Sequence, residues 1–180
     1  MEAKQVPDLS EVTQQIVVQN SQVLAKVLYA CTTQNHETAS DAGGDTGWYD
    51  LPVFADLLFD QLVSENYIEI INDLELRATQ PVRLEVQYSV QISKTSNNSR
   101  CESEIAIFYD FGNGYVEVED CTRLCYNRQE SQGTTTAANA LRPVQMATGD
   151  KLKLAFRKAD SVWGRVGIWA RKASIYCKKI

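Results

Sequence analysis

The chain has 180 residues, of which 44% are hydrophobic and 23% charged, and its formal net charge is −5. That is the size and composition of one globular domain with a short appendage, and the acidic balance excludes a dedicated nucleic-acid binder, which is normally basic. No run approaches the ~18 consecutive apolar residues of a membrane-spanning helix, and the opening MEAKQVPDLSEV has no apolar core of a secretion signal.

The charge is uneven. Residues 1–80 carry 13 acidic and 3 basic side chains, whereas residues 81–180 carry 10 acidic and 15 basic. Residues 151–180 alone hold nine Lys or Arg and one Asp. Such a pattern fits either a solvated outer face on the last strands or an acidic half that docks on the basic half of a neighbouring copy. There are five cysteines, Cys31, Cys101, Cys121, Cys125 and Cys177. An odd number without a secretion signal reads as buried thiols rather than a disulfide framework. Cys121 and Cys125 are spaced C-x3-C, but the single histidine, His36, is remote in sequence, so no zinc set is expected. No metal and no cofactor are expected.

In chain order, residues 8–30 predict a helix, with Asp8 or Ser10 as cap and Glu11 in the first turn. Ile16, Asn20, Val23, Val27 and Ala30 form an a/d ladder with one polar rung, a device that sets register in coiled coils. Val17, Val18 and Leu24 widen the apolar face. The stretch reads either as an amphipathic segment packed on its own domain or as a short oligomeric stalk. Residues 32–47, TTQNHETASDAGGDTG, are polar and rich in chain-breaking residues, and read as a linker or long loop. An N-terminal arm and linker over 1–47 and a sandwich domain over 48–180 are therefore expected.

Residues 48–64, WYDLPVFADLLFDQLVS, predict one short helix. Asp50 can cap it, Pro52 suits its first turn, and Val53 or Phe54, Leu57, Leu58 and Leu62 share a face. From Tyr67 the period changes towards two, with Ile68 and Ile70 and then Leu74 and Leu76. The clearest strand follows, in which Val82, Leu84, Val86, Tyr88, Val90 and Ile92 occupy every second position between polar neighbours. KTSNNSRCES turns the chain. Ile105, Ile107 and Tyr109 start another strand, and FGNG returns it through Tyr115-Val116-Glu117-Val118. Residues 127–140 suit a loop or a plain edge strand. Leu141, Val144 and Met146 lead to a Gly149-Asp150 turn, after which Leu152, Leu154 and Phe156 alternate with Lys151, Lys153 and Ala155. Val166, Ile168 and Ala170 alternate again, and Ile175 and Cys177 carry the pattern to the end. Many short strands without alternating helices predict an all-β fold, an antiparallel β-sandwich with an N-terminal helical or extended arm and one short helix.

Four stretches, VRLEVQYSVQIS, IAIFYDFGNGY, MATGDKLKLAF and the final ASIYCKKI, resemble the jelly roll of the C1q and tumour-necrosis-factor superfamily. The similarity covers roughly residues 50–180 and is nearest to the versions in viral head fibres, decoration proteins and tail-fibre tips. Without a collagen repeat or secretion signal, it favours a viral structural protein over a secreted cytokine. The resemblance implies a homotrimer whose flat sandwich faces meet at the threefold axis, and a structural role for Gly149 and Asp150. Tyr88, Tyr109, Tyr115, Trp163 and Trp169, with Tyr176, are amphipathic side chains of the type enriched at interfaces. They are the candidates for an interface or for ligand stacking, the alternative being ordinary core packing. Trp48, Tyr49 and Trp163 are further candidates for stacking on a sugar ring, the mark of a glycan- or receptor-binding module at a fibre tip. With one histidine, no P-loop and no GxGxxG, no enzyme is expected. The expected partners are further copies of this chain, a capsid or other virion protein and, in the second reading, a host-surface glycan. Neither nucleic acid nor membrane is expected, and the expected location is the virion, after synthesis in the host cytoplasm.

Overall fold

The computed structural model describes residues 26–34, 36–37, 47–94, 101–118, 121–127, 136–159 and 168–180. Among them are two antiparallel sheets packed face to face. The first sheet contains β1 (Val27–Thr32), β2 (His36–Glu37), β4 (Asp56–Asp60), β7 (Val82–Lys94), β11 (Thr136–Met146) and β13 (Ile168–Lys179). Its order is β11-β7-β13-β1-β4, with β2 beside β13. The second sheet contains β3 (Tyr49–Asp50), β5 (Ile68–Asn72), β6 (Glu75–Ala78), β8 (Cys101–Asp110), β9 (Tyr115–Glu117), β10 (Arg123–Asn127) and β12 (Lys151–Lys158). Its order is β10-β8-β12-β6-β5, with β3 against β12 and β9 against β8. One helical turn, α1 (Gln61–Ser64), follows β4.

Alternation in the sequence decides which side chains meet between the sheets. In β7, Val82, Leu84, Val86, Tyr88, Val90 and Ile92 are all buried, while Arg83 and Gln87 are exposed. Each such aliphatic side chain contributes about 2 kcal/mol on leaving water. Ile105, Ile107 and Tyr109 of β8 and Leu152, Leu154 and Phe156 of β12 face them from the second sheet. In β13 the buried set changes parity, from Ile168 and Ala170 to Ala173, Ile175 and Cys177. A register shift between Ala170 and Lys172 accounts for it: Ala170 pairs with Ile92 and Lys172 with Gln91, so Arg171 is an extra residue in a β-bulge.

The turn before β12 is built from its own residues. Gly149 has φ +95°, a left-handed conformation that costs glycine nothing, and its N–H donates to the Ala78 carbonyl at 2.8 Å. The Asp150 carboxylate accepts the Ala147 N–H at 2.6 Å and the Tyr109 hydroxyl.

Two local expectations are corrected. The helix predicted over 8–30 does not include residues 27–30, which belong to β1, with Leu28, Ala30 and Thr32 buried and their neighbours half-buried. The residues assigned to the arm thus supply a strand held between β13 and β4. The part of that expectation over residues 8–25 lies outside the described residues. The helix predicted over 48–64 is only the four residues of α1, because Asp56–Asp60 pairs with β1 as a strand. In both places the ladder hydrogen bonds of a neighbouring strand override an ambiguous local period. Residues 136–140, whose sequence suits a loop or a plain edge strand, take the second form: with 141–146 they make the edge strand β11 along β7.

Burial pushes the Cys177 thiol up to about 12, from an ordinary value of 9.0. Burial, then the Asp150 carboxylate, also raises Tyr109, and burial, then Glu75, raises Tyr115. The unfolded chain therefore gives up these protons at lower pH than the folded one. Their contribution to stability is whole below pH 9 and is lost as pH rises through the folded values. Urea denaturation at stepped pH is expected to show stability falling above pH 9, and Cys177→Ala is expected to make that fall shallower.

Candidate assembly interface

Residues paired across strands share a face. The pairings Phe59–Tyr29, Tyr29–Tyr176, Tyr176–Gln87 and Gln87–Leu141 therefore draw one row across all five main strands of the first sheet, on the side away from the core. Four strand spacings make the row about 19 Å long. Phe59 and Leu141 end it and are 59% and 56% exposed. Tyr29 and Tyr176, both half-buried, stand at its centre. On one side lie Cys31, Ser174 and Ser89, likewise in register. On the other lie Val27, Lys178, Glu85 and Pro143, in which Lys178 and Glu85 stand opposite one another. The small paired serines leave a shallow depression of about 290 Å³, lined by Tyr29, Gln87, Tyr88, Ser89, Ser174 and Tyr176.

The outer face of the second sheet has a different chemistry. Glu69, Arg77, Lys151 and Asp110 make one cross-strand row, and Glu75, Lys153, Phe108 and Glu117 another. Arg77 pairs with Glu69, Lys153 with Asp50 at 2.7 Å, and Arg157 with Glu104 at 2.5 Å. Each such pair contributes little energy but keeps the face wetted. The Lys153–Asp50 bridge also joins the acidic and basic halves of the sequence within a single chain.

The residues singled out in the sequence fall in different places. Tyr88 and Tyr109 are core residues, not interface: they are 1% and 2% exposed, and their hydroxyls serve internal carbonyls. The Tyr88 hydroxyl lies 2.7 Å from the Cys121 carbonyl and 3.0 Å from that of Ile105, and the Tyr109 hydroxyl lies 2.7 Å from the Gln145 carbonyl. Tyr115 lies on the second sheet with Lys153 Nζ 4.3 Å from its ring centre. Trp169 is in β13 opposite Ser93 and Glu37, its side chain outside the described residues; Trp163 lies outside them altogether. The described candidates are thus not brought together. The Trp48 ring is already engaged within the chain: Arg157 lies 4.4 Å over it, and it makes a T-shaped contact with the Phe108 ring at 4.9 Å. Ala155 and Ala106 pair on the same outer face and are fully buried. Tyr49 packs against Phe156 at 6.1 Å between centroids. Of the amphipathic candidates among the described residues, only Tyr176 is found in the row. Tyr29 and Phe59 were hidden within predicted helices.

No protein-family model matches the sequence, and no curated protein matches it. Solved structures do match in shape. The Eiger TNF of S. frugiperda aligns with a TM-score of 0.50 at 10% identity, over 87% of this chain and 92% of that one. The globular domain of zebrafish complement 1qA aligns at 0.51 and 8% identity, over 85% and 94%. Murine APRIL aligns at 0.51 and 10% identity, over 86% and 100%. The fold is the TNF and C1q jelly roll. In this jelly roll Tyr29 and Tyr176 stand on β1 and β13, two interior strands of the first sheet.

Proposed function

We propose that this chain is a non-enzymatic, homotrimeric structural module of a virus or phage particle, a capsid decoration or fibre protein. Its copies meet through the outer face of the first sheet. The observation that carries the reading is the contrast between the two outer faces: one holds Phe59, Tyr29, Tyr176 and Leu141 in a single row, and the other is tiled with ion pairs. Aromatic residues are over-represented in the fully desolvated centres of interfaces, whereas charges are depleted there. The jelly-roll likeness supports three as the number of copies. The head-fibre and decoration-protein motifs read in the sequence support the virion as the place.

Light scattering tests the assembly. The expected mass is about three times the 20.2 kDa of one chain. Cys31 adds a local probe, since it lies one step from Tyr29 on the same face and is half-buried in the single chain. Thiol labelling read at the Cys31 peptide is expected to be slow at concentrations that hold the trimer and to quicken on dilution. A monomer at every concentration overturns the assembly. Failure to co-sediment with particles that lack this protein rejects the virion role and leaves the trimer intact.

A further inference from the structure

β4 pairs with β1 through an irregularity. Tyr29 stands opposite Phe59, Ala30 opposite Leu57 and Cys31 opposite Asp56, so Leu58 is an extra residue in a β-bulge. On a regular strand two residues three apart face opposite ways, and the bulge turns Asp56 and Phe59 to the same outer face. Both are exposed. The edge of the sheet thus carries an apolar knob, Phe59, with a carboxylate one face step away, about 7 Å.

The recess over Ser89 and Ser174 lies two to three strands from Phe59, about 10–14 Å, so a chain cannot fill its own. Its volume is about 290 Å³, against the ~150 Å³ of a cavity that accepts a benzene ring. On β13, Lys172 is one face step from Ser174, in the same chain direction as Asp56 from Phe59, and is exposed. Neither Asp56 nor Lys172 has an ion pair among the described residues. A Phe59 ring over the partner's Ser174 therefore brings Asp56 to the partner's Lys172. The opposite end of the row fits less well. Arg142 is the single charged residue of β11, so the Leu141 edge would carry a cation towards lysines. A closed ring of three also requires that each contact join two different surfaces, as a knob and a displaced socket do.

We propose, on the trimeric reading above, that Phe59 of each copy seats in the Ser89–Ser174 recess of the next, with Asp56 paired to the partner's Lys172. The test is the concentration of half-assembly, from light scattering over a dilution series. Phe59→Ala is expected to raise it at least about thirtyfold, as for loss of an interface anchor, and Leu141→Ala less than about threefold. Asp56→Lys and Lys172→Asp are each expected to raise it about tenfold, and both changes in one chain to return it to within about threefold of the parent. All four sites are exposed, so circular dichroism is expected to stay that of the parent. A parent that is monomeric at every concentration overturns the proposal together with the reading it rests on. A trimer in which Leu141→Ala costs more than Phe59→Ala, or in which the double charge reversal is no better than either single one, overturns the pairing alone.

Discussion

Replacing Tyr29 and Tyr176 together by aspartate is expected to convert the proposed trimer into monomers at any concentration practical for light scattering. The two rings are paired across β1 and β13 at the middle of the face, where truncation of an aromatic anchor commonly costs at least about 2 kcal/mol of association. Two such losses weaken assembly on the order of a thousandfold, and burying two unpaired carboxylates adds to that. The chain itself should remain folded, because both side chains point away from the core. Far-ultraviolet circular dichroism should therefore match the unmodified protein while the mass falls to that of one chain. Lys153→Ala on the opposite sheet is the matched control, expected to leave the mass unchanged. A double variant that stays trimeric would move the interface to another surface.

The second large effect concerns Tyr88, which the sandwich holds at its centre. Tyr88→Phe keeps the ring but leaves the Ile105 and Cys121 carbonyls without that hydroxyl, which costs about 1–3 kcal/mol for buried polar groups losing a partner. Tyr88→Ala also opens a cavity and is expected to cost about 3–5 kcal/mol. Tyr29→Phe, on the outer face, is expected to change the stability of the isolated subunit by less than about 0.5 kcal/mol. Urea denaturation at a fixed, low protein concentration measures all three, since assembly otherwise adds its own stabilisation. A Tyr88→Ala variant as stable as the parent would remove Tyr88 from the core.

Much of the fold could be read from alternation. The strands at Val82–Lys94, Cys101–Asp110 and Lys151–Lys158 each show a period of two over at least five residues, and each is a strand with that face inward. The same parity already placed Tyr88 with Val86 and Val90, and Tyr109 with Ile105 and Ile107. Their polar tips made them look like interface residues, but their positions in the pattern were those of the core. The proposed assembly face was harder to see. Val27-Leu28-Tyr29-Ala30 fits a helical ladder as well as a strand, and so does Asp56–Asp60 with its adjacent leucines. What decides both is pairing with β13 and with each other, across long separations in the chain. Once β1 and β4 are strands, Tyr29 and Phe59 come into line with Tyr176, an alignment that no local window contains.

Arg171 has no Cα partner on β7, whereas Ala170 faces Ile92 and Lys172 faces Gln91, two residues that are consecutive on that strand. Removing Arg171 would therefore join the two halves of β13 into one uninterrupted alternation without turning any side chain inside out. Loss of Lys172 would do the same, with Arg171 taking its place opposite Gln91, whereas loss of a residue elsewhere in the interior of β13 would send a lysine inward or an isoleucine outward. Within β13, shortening by one residue thus has one permissive place, the Arg171-Lys172 step of the bulge.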